Sequence, residues 1–162
     1  MIAAIAIRPT AGKRVTLPCV AMAVDVFAHT FVVPASPAAV HAHLADPQSY
    51  IGLSPLVVAV RDVARDGDVV TYTAVERFGL YRNPIKVTLT VGDARITSDV
   101  VSPGRVRLRA VTDLAPSGAD TSVTETITVE SPALLRRFVL RQARSVQQRR
   151  AAELTRRFSR PS

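Results

Sequence analysis

The sequence has one cysteine, Cys19, so no intrachain disulfide can form and a cysteine-based metal site lacks a second ligand. Tryptophan is absent and aromatic residues make up 5% of the chain, so a core has to be assembled from valine, alanine, leucine and isoleucine. No apolar run reaches the roughly 18 residues needed to cross a bilayer, and the expectation is a soluble cytoplasmic protein. There is no glycine-rich phosphate loop, no Gly-x-Ser-x-Gly elbow and no pair of histidines at metal-binding helical spacing. His41 and His43 lie two apart on a predicted helix and point in different directions, and no metal or other cofactor is expected.

Acidic residues are scarce in one place. Residues 131–162 hold nine arginines and a single acid, Glu153, whereas residues 1–130 balance 12 cations with 12 acids. The whole net charge of +8 therefore sits in the last segment. An argument for nucleic-acid binding from overall basicity would misplace it.

What is present suits one domain: 162 residues, 48% of them hydrophobic, with valine prominent. Residues 1–22 show no clean period and are read as a disordered or misassigned extension, with Met22 as an alternative start. A secretory leader is the competing reading, opposed by Pro18 and by the late position of Lys13 and Arg14. The domain proper is placed at 23–160. Val24 to Val33 reads as a strand ending at Pro34. Ser36-Pro37 and Asp46-Pro47 each supply an N-cap followed by proline at the first helical position, predicting two short helices. Six strands follow at 57–64, 69–78, 85–91, 94–101, 105–110 and 121–130, separated by turn residues, with 79–84 read as a loop. Ile85, Val87, Leu89 and Val91 alternate with Lys86, Thr88 and Thr90, which gives a half-buried strand. Ser131-Pro132 repeats the cap device and opens a predicted helix of about 27 residues with a stripe of Leu135, Phe138, Val139, Gln142 and Val146, continued by Ala151, Leu154 and Phe158.

The expected architecture is α+β. A curved seven-stranded antiparallel sheet wraps around the long C-terminal helix, with two short helices after the first strand. One helix cannot fill such a groove, and few bulky aromatics are available, so a cavity is expected between them; a volume of about 300 Å³ or more with one or two buried polar groups would favour binding, and a filled interior would not.

Residues 32–40 (Val-Val-Pro-Ala-Ser-Pro-Ala-Ala-Val), Leu44-Ala45-Asp46-Pro47, Tyr50, Pro55 and Ser131-Pro132 resemble the START-like (SRPBCC) superfamily of polyketide cyclases/dehydrases and lipid-transport proteins, with its helix-grip fold. The resemblance covers residues 24–158. Where many relatives carry tryptophan after the second short helix, the nearest aromatic here is Tyr50. The resemblance implies binding or carriage of a lipid, isoprenoid or polyketide-like molecule, or, as an alternative, a cofactor-free polyketide cyclase, aromatase or dehydratase.

Candidate ligand-binding residues are Tyr72, Glu125, Val87, Leu89, Leu108, Phe138, Val139 and Gln142. Glu125 shares strand phase with Val123, Ile127 and Val129, so its carboxylate faces the helix as a polar anchor or acid/base, unless it is a rim residue paired with arginine. Tyr72, Glu76 and Arg77, with Tyr81 and Arg82, form a second candidate set for polarising a ligand carbonyl, set against ordinary ion pairs on an exposed strand end. For the basic helix, the readings are a solvated outer face, contact with an anionic membrane through Arg141, Arg144, Arg149 and Arg150, or a nucleic-acid surface. The last lacks stacking aromatics, because Phe138 and Phe158 are expected in the core.

Overall fold

The computed structural model describes residues 20–102 and 104–159. Seven strands form one antiparallel sheet: β1 Met22–Val33, β2 Val57–Asp66, β3 Val69–Phe78, β4 Tyr81–Val91, β5 Arg95–Ser102, β6 Val106–Ser117 and β7 Asp120–Pro132. The spatial order is β1-β7-β6-β5-β4-β3-β2. Strands β2 to β7 are thus a meander of hairpins, and β1 returns from the far end of the chain to pair with β7, from Met22 against Pro132 to Val33 against Thr121. Helix α1 (Pro37–Ala45), a 3-10 turn (Pro47–Ser49) and the four-residue α2 (Tyr50–Leu53) carry the chain from one sheet edge to the other. Helix α3 (Arg136–Ser159) lies against the inner face. The expected α+β helix-grip architecture is what the chain adopts.

The capping logic holds for the short helices. Ser36 Oγ accepts from the Ala39 amide and Asp46 Oδ1 from the Gln48 amide. It fails at the long one. Ser131 and Pro132 remain in β7, paired with Ala23 and Met22, and the chain enters α3 through a 3-10 turn at Ala133–Leu135. Continuing the sheet satisfies the backbone there, so the cap is not used. The residues at 79–84 are not a loop. Gly79 takes φ +59, a conformation glycine adopts without steric cost, and the hairpin closes through Gly79-Leu80. Tyr81 to Pro84 already pair with β3. Pro84 is tolerated because β5 joins β4 only from Lys86 onward, leaving β4 an edge at that point. The reading of residues 1–22 as an extension falls chiefly on residues 1–19, outside the described residues, while Met22 opens β1.

Apart from β2, whose register against β3 breaks twice, the strands present largely alternate residues inward. Two apolar clusters result. The larger is built on Val33, Val40, Leu53, Val70, Leu89, Ile96 and Leu154, and the smaller on Val106, Ala110, Ile127, Val129, Val139 and Ala143. Leu108 packs against both. Helix α3 spans the pair, with Val139 and Ala143 on the smaller cluster and Leu154 and Phe158 on the larger. The part of its buried face between them carries Gln147 and Arg150, so the interior has a polar waist.

Candidate functional site

Glu125 lies on the inner face of β7, 3% exposed, in register with Thr112 of β6 and His29 of β1. Arg150 reaches it from the middle of α3 and forms an ion pair with the Glu125 carboxylate. One turn earlier, Gln147 donates from Nε2 to the Glu125 carbonyl oxygen at 3.0 Å. Glu125 is therefore the inward carboxylate that strand phase predicts, and its partner is an arginine in the interior. Burial pulls the Arg150 guanidinium below its ordinary range, opposed by the hydroxyls of Tyr50 and Tyr72.

Those tyrosines come from opposite walls. Tyr50 sits at the start of α2 and Tyr72 on β3, with ring centroids 6.3 Å apart. The Tyr50 hydroxyl donates to the Leu44 carbonyl at 3.1 Å. Burial raises the pKa of both phenols, and Tyr72 in particular stays protonated throughout the physiological range. Beside them lies a cavity of about 30 Å³ whose walls include Tyr50, Ser54, Tyr72, Val87, Leu108 and Arg150. The Ser54 hydroxyl is fully buried and has no hydrogen-bond partner among the described residues. Tyr72, Ser54 and Arg150 all carry hydrogen-bond donors, so a mostly apolar wall includes three donor-bearing side chains.

This space is about a tenth of the roughly 300 Å³ that would favour binding of a small molecule. The missing bulk comes from Arg150, together with Tyr50 and Tyr72. A count of aromatics does not see an arginine turned inward. For the same reason Arg150 does not belong with Arg141, Arg144 and Arg149 as a membrane-contact residue: its side chain is spent on Glu125, and the other three are exposed.

The remaining candidates divide by position. Val87 and Leu108 line the cavity with Tyr72, and Leu89 is fully buried in the larger cluster. Val139 is buried in the smaller cluster, Gln142 is half-buried, and Phe138 is 46% exposed. The stripe that α3 buries runs Val139, Ala143, Gln147, Ala151, Leu154; Val139, Ala151 and Leu154 are on the expected stripe, whereas Ala143 and Gln147 take the places expected for Gln142 and Val146. Small Ala143 and Ala151 face the sheet. On β3, Glu76 is fully buried and Arg77 exposed, and Tyr81 and Arg82 of β4 are exposed as well, so this set does not converge. Glu76 opposes Asn83 across β3–β4, and neither its two carboxylate oxygens nor Asn83 Nδ2 has a partner among the described residues. Burial lifts the Glu76 carboxyl to about 7. Glu76 and Glu125 do not share a site: the register carries Glu125 through Thr112 and Ile96 to Val91, at the other end of β4 from Asn83.

Arg157 is a residue that sequence reasoning missed. From the end of α3 it donates to the carbonyls of Ser49 (2.6 Å) and Ile51 (2.8 Å), to His43 Nε2 (3.2 Å) and to Glu153 (3.0 Å). His43 is held below its usual pKa by burial and by this guanidinium, which suits the acceptor role. Arg157 thus ties the segment carrying Tyr50 and Ser54 to α3.

No family model and no curated protein matches the sequence. Solved structures do match in shape. A START superfamily protein from Mycobacterium smegmatis superposes with a TM-score of 0.70 at 14% identity, over 82% of this chain and 96% of that one. An aromatase/cyclase from Streptomyces sp. R1128 gives 0.66 at 16% identity, over 83% and 96%. Norcoclaurine synthase from Thalictrum flavum, solved with dopamine and hydroxybenzaldehyde, gives 0.61 at 14% identity, over 96% and 100%. The chain has a START/SRPBCC-like helix-grip fold. At these identities the likeness is one of fold.

Proposed function

We propose that the protein binds an apolar small molecule in the space between the sheet and α3, holding an oxygen acceptor of that molecule with Arg150, Tyr72 and Ser54. The observation that carries this reading is the buried Ser54 hydroxyl, without a hydrogen-bond partner among the described residues, in a largely apolar cavity whose walls also include Tyr72 and Arg150. An orphaned hydroxyl costs about 1–3 kcal/mol, and a guest carbonyl, carboxylate or phenol oxygen would recover it. Lipid, isoprenoid and polyketide-like molecules all offer such an oxygen on an apolar body.

A cavity of about 30 Å³ holds about one water, and a small-molecule guest needs about 300 Å³. Binding therefore requires a wall to move. The wall taken to move is the rim from Tyr50 to Val57, which is irregular and is tied to α3 by Arg157. It turns at Gly52, with φ +75, and leads into β2, an edge strand with two breaks in its register against β3. Displacing this rim opens the cavity while the Glu125–Arg150 pair stays on the other side.

The test is a fluorescence titration with 1-anilinonaphthalene-8-sulfonate, whose rings and sulfonate mimic an apolar body with an oxygen acceptor. Wild type should bind it, and Ser54→Ala and Tyr72→Phe should each weaken binding about threefold to tenfold. Failure to take up this probe, long-chain fatty acids or polycyclic phenols would overturn the reading. The alternative, a polyketide cyclase or aromatase, matches the named activity of one fold neighbour. It needs a proton acceptor at the cavity. Glu125 is engaged by Arg150, and Glu76, whose strand partner Val57 lines the cavity, is not itself one of its walls, so the donors there favour holding an oxygen over deprotonating a carbon.

A further inference from the structure

The entry to α3 carries an exposed patch that the interior site does not use. Leu134 is fully exposed, and Phe138, one turn on, is 46% exposed. Arg137 and Arg141 flank them at the i, i+3 and i, i+4 spacings that place four residues on one helical face. Met22 is exposed at the same end of the molecule, since its strand partner Pro132 lies two residues before Leu134. The ridge continues along α3 through Arg144, Gln148, Arg149 and Ala152, all exposed. Among the described residues, Arg137, Arg141 and Arg149 make no ion pair, whereas Arg136 is held by Asp25 and Arg156 and Arg157 by Glu153. The one acid on the helix is thus already neutralised.

We infer that this face docks on the surface of an anionic lipid bilayer, with Leu134 and Phe138 entering the headgroup–acyl boundary and Arg137, Arg141 and Arg149 meeting lipid phosphates. Two large apolar side chains held out in water, ringed by unpaired guanidinium groups, match the two parts of such an interface. A nucleic acid would use the guanidinium groups and have no use for Leu134. This inference is independent of the interior guest, because none of its residues lines the cavity.

Vesicle co-sedimentation tests it. The full chain should bind phosphatidylcholine vesicles containing about a third phosphatidylglycerol, and should bind pure phosphatidylcholine far more weakly. Binding should fall as salt rises from about 0.1 to 0.5 M. Arg137→Glu/Arg141→Glu should weaken it roughly thirtyfold. Leu134→Ser/Phe138→Ser should weaken it at least about tenfold, with the fold retained, because Leu134 is exposed and Phe138 about half so. The inference is overturned if anionic vesicles are not bound. It is equally overturned if the Leu134/Phe138 variant binds as wild type while a single-stranded oligonucleotide displaces the vesicles, since the arginines would then act as a plain polyanion surface. Retention of 1-anilinonaphthalene-8-sulfonate binding by both double variants separates a failure here from a failure of the interior site.

Discussion

At Glu76 a carboxyl is buried with no hydrogen-bond partner among the described residues. The carboxyl is fully buried and titrates near 7 instead of 4.5, with burial as the leading cause. Below about pH 4.5 folded and unfolded chains both hold the proton. Between about 4.5 and 7 the folded protein keeps it while the unfolded chain has released it. Stability therefore falls as pH rises through that window and levels off above 7, by an amount on the order of 3 kcal/mol. Glu76→Gln should flatten this dependence and be the more stable protein at pH 8, as measured by urea unfolding at pH 5 and pH 8. The Glu125–Arg150 pair obeys a different logic, since each charge answers the other. Arg150→Met leaves the Glu125 carboxylate buried alone and should cost about 3–5 kcal/mol. Glu125→Leu combined with Arg150→Met should cost less than Arg150→Met by itself. Urea unfolding of the three proteins checks both statements. The inward phase of Glu125 is readable from Val123, Ile127 and Val129. Arg150 as its partner is not readable, because one arginine among nine in the terminal segment carries no local mark of turning inward.

At the scale of elements, the segment from Ser49 to Ser54 is packed into the core through Tyr50 and Leu53 and tied to α3 by the Arg157 side chain. Arg157→Ala removes charge-assisted hydrogen bonds to the Ser49 and Ile51 carbonyls and should cost about 2–3 kcal/mol. Amide exchange should quicken at 49–54 and remain unchanged in β6 and β7, readable by hydrogen-exchange mass spectrometry. The helix starts show where local sequence suffices. Ser36 and Asp46 cap because nothing competes for the chain there. Ser131 bears the same signal, but β1 offers its backbone a strand partner and the sheet wins. The buried stripe of α3 is legible in part: Val139, Ala151 and Leu154 lie on the stripe expected from the sequence, Ala143 and Gln147 do not. Packing a helix closely on a concave sheet favours a small residue such as Ala143, whereas a search for hydrophobic periodicity is drawn to Phe138.

For the molecule as a whole, strand number, antiparallel order and the wrapped helix were legible, because alternation and turn chemistry repeat at every hairpin. The interior volume was not, since it depends on which long polar side chains turn inward. A guest site that must widen before it fills has a kinetic signature. In stopped-flow mixing, the rate of 1-anilinonaphthalene-8-sulfonate uptake should level off at high probe concentration, and Arg157→Ala should raise that plateau by loosening the rim. The sheet order has a consequence of another kind. The first strand synthesised is the last to find its neighbour, because β1 pairs only with β7. While a ribosome is still making the chain, residues 22–33 wait, unpaired and valine-rich, until Pro132 has cleared the exit tunnel. Nascent chains released short of β7 should therefore be the form of this protein most prone to stick to one another, and the one that chaperones meet most often.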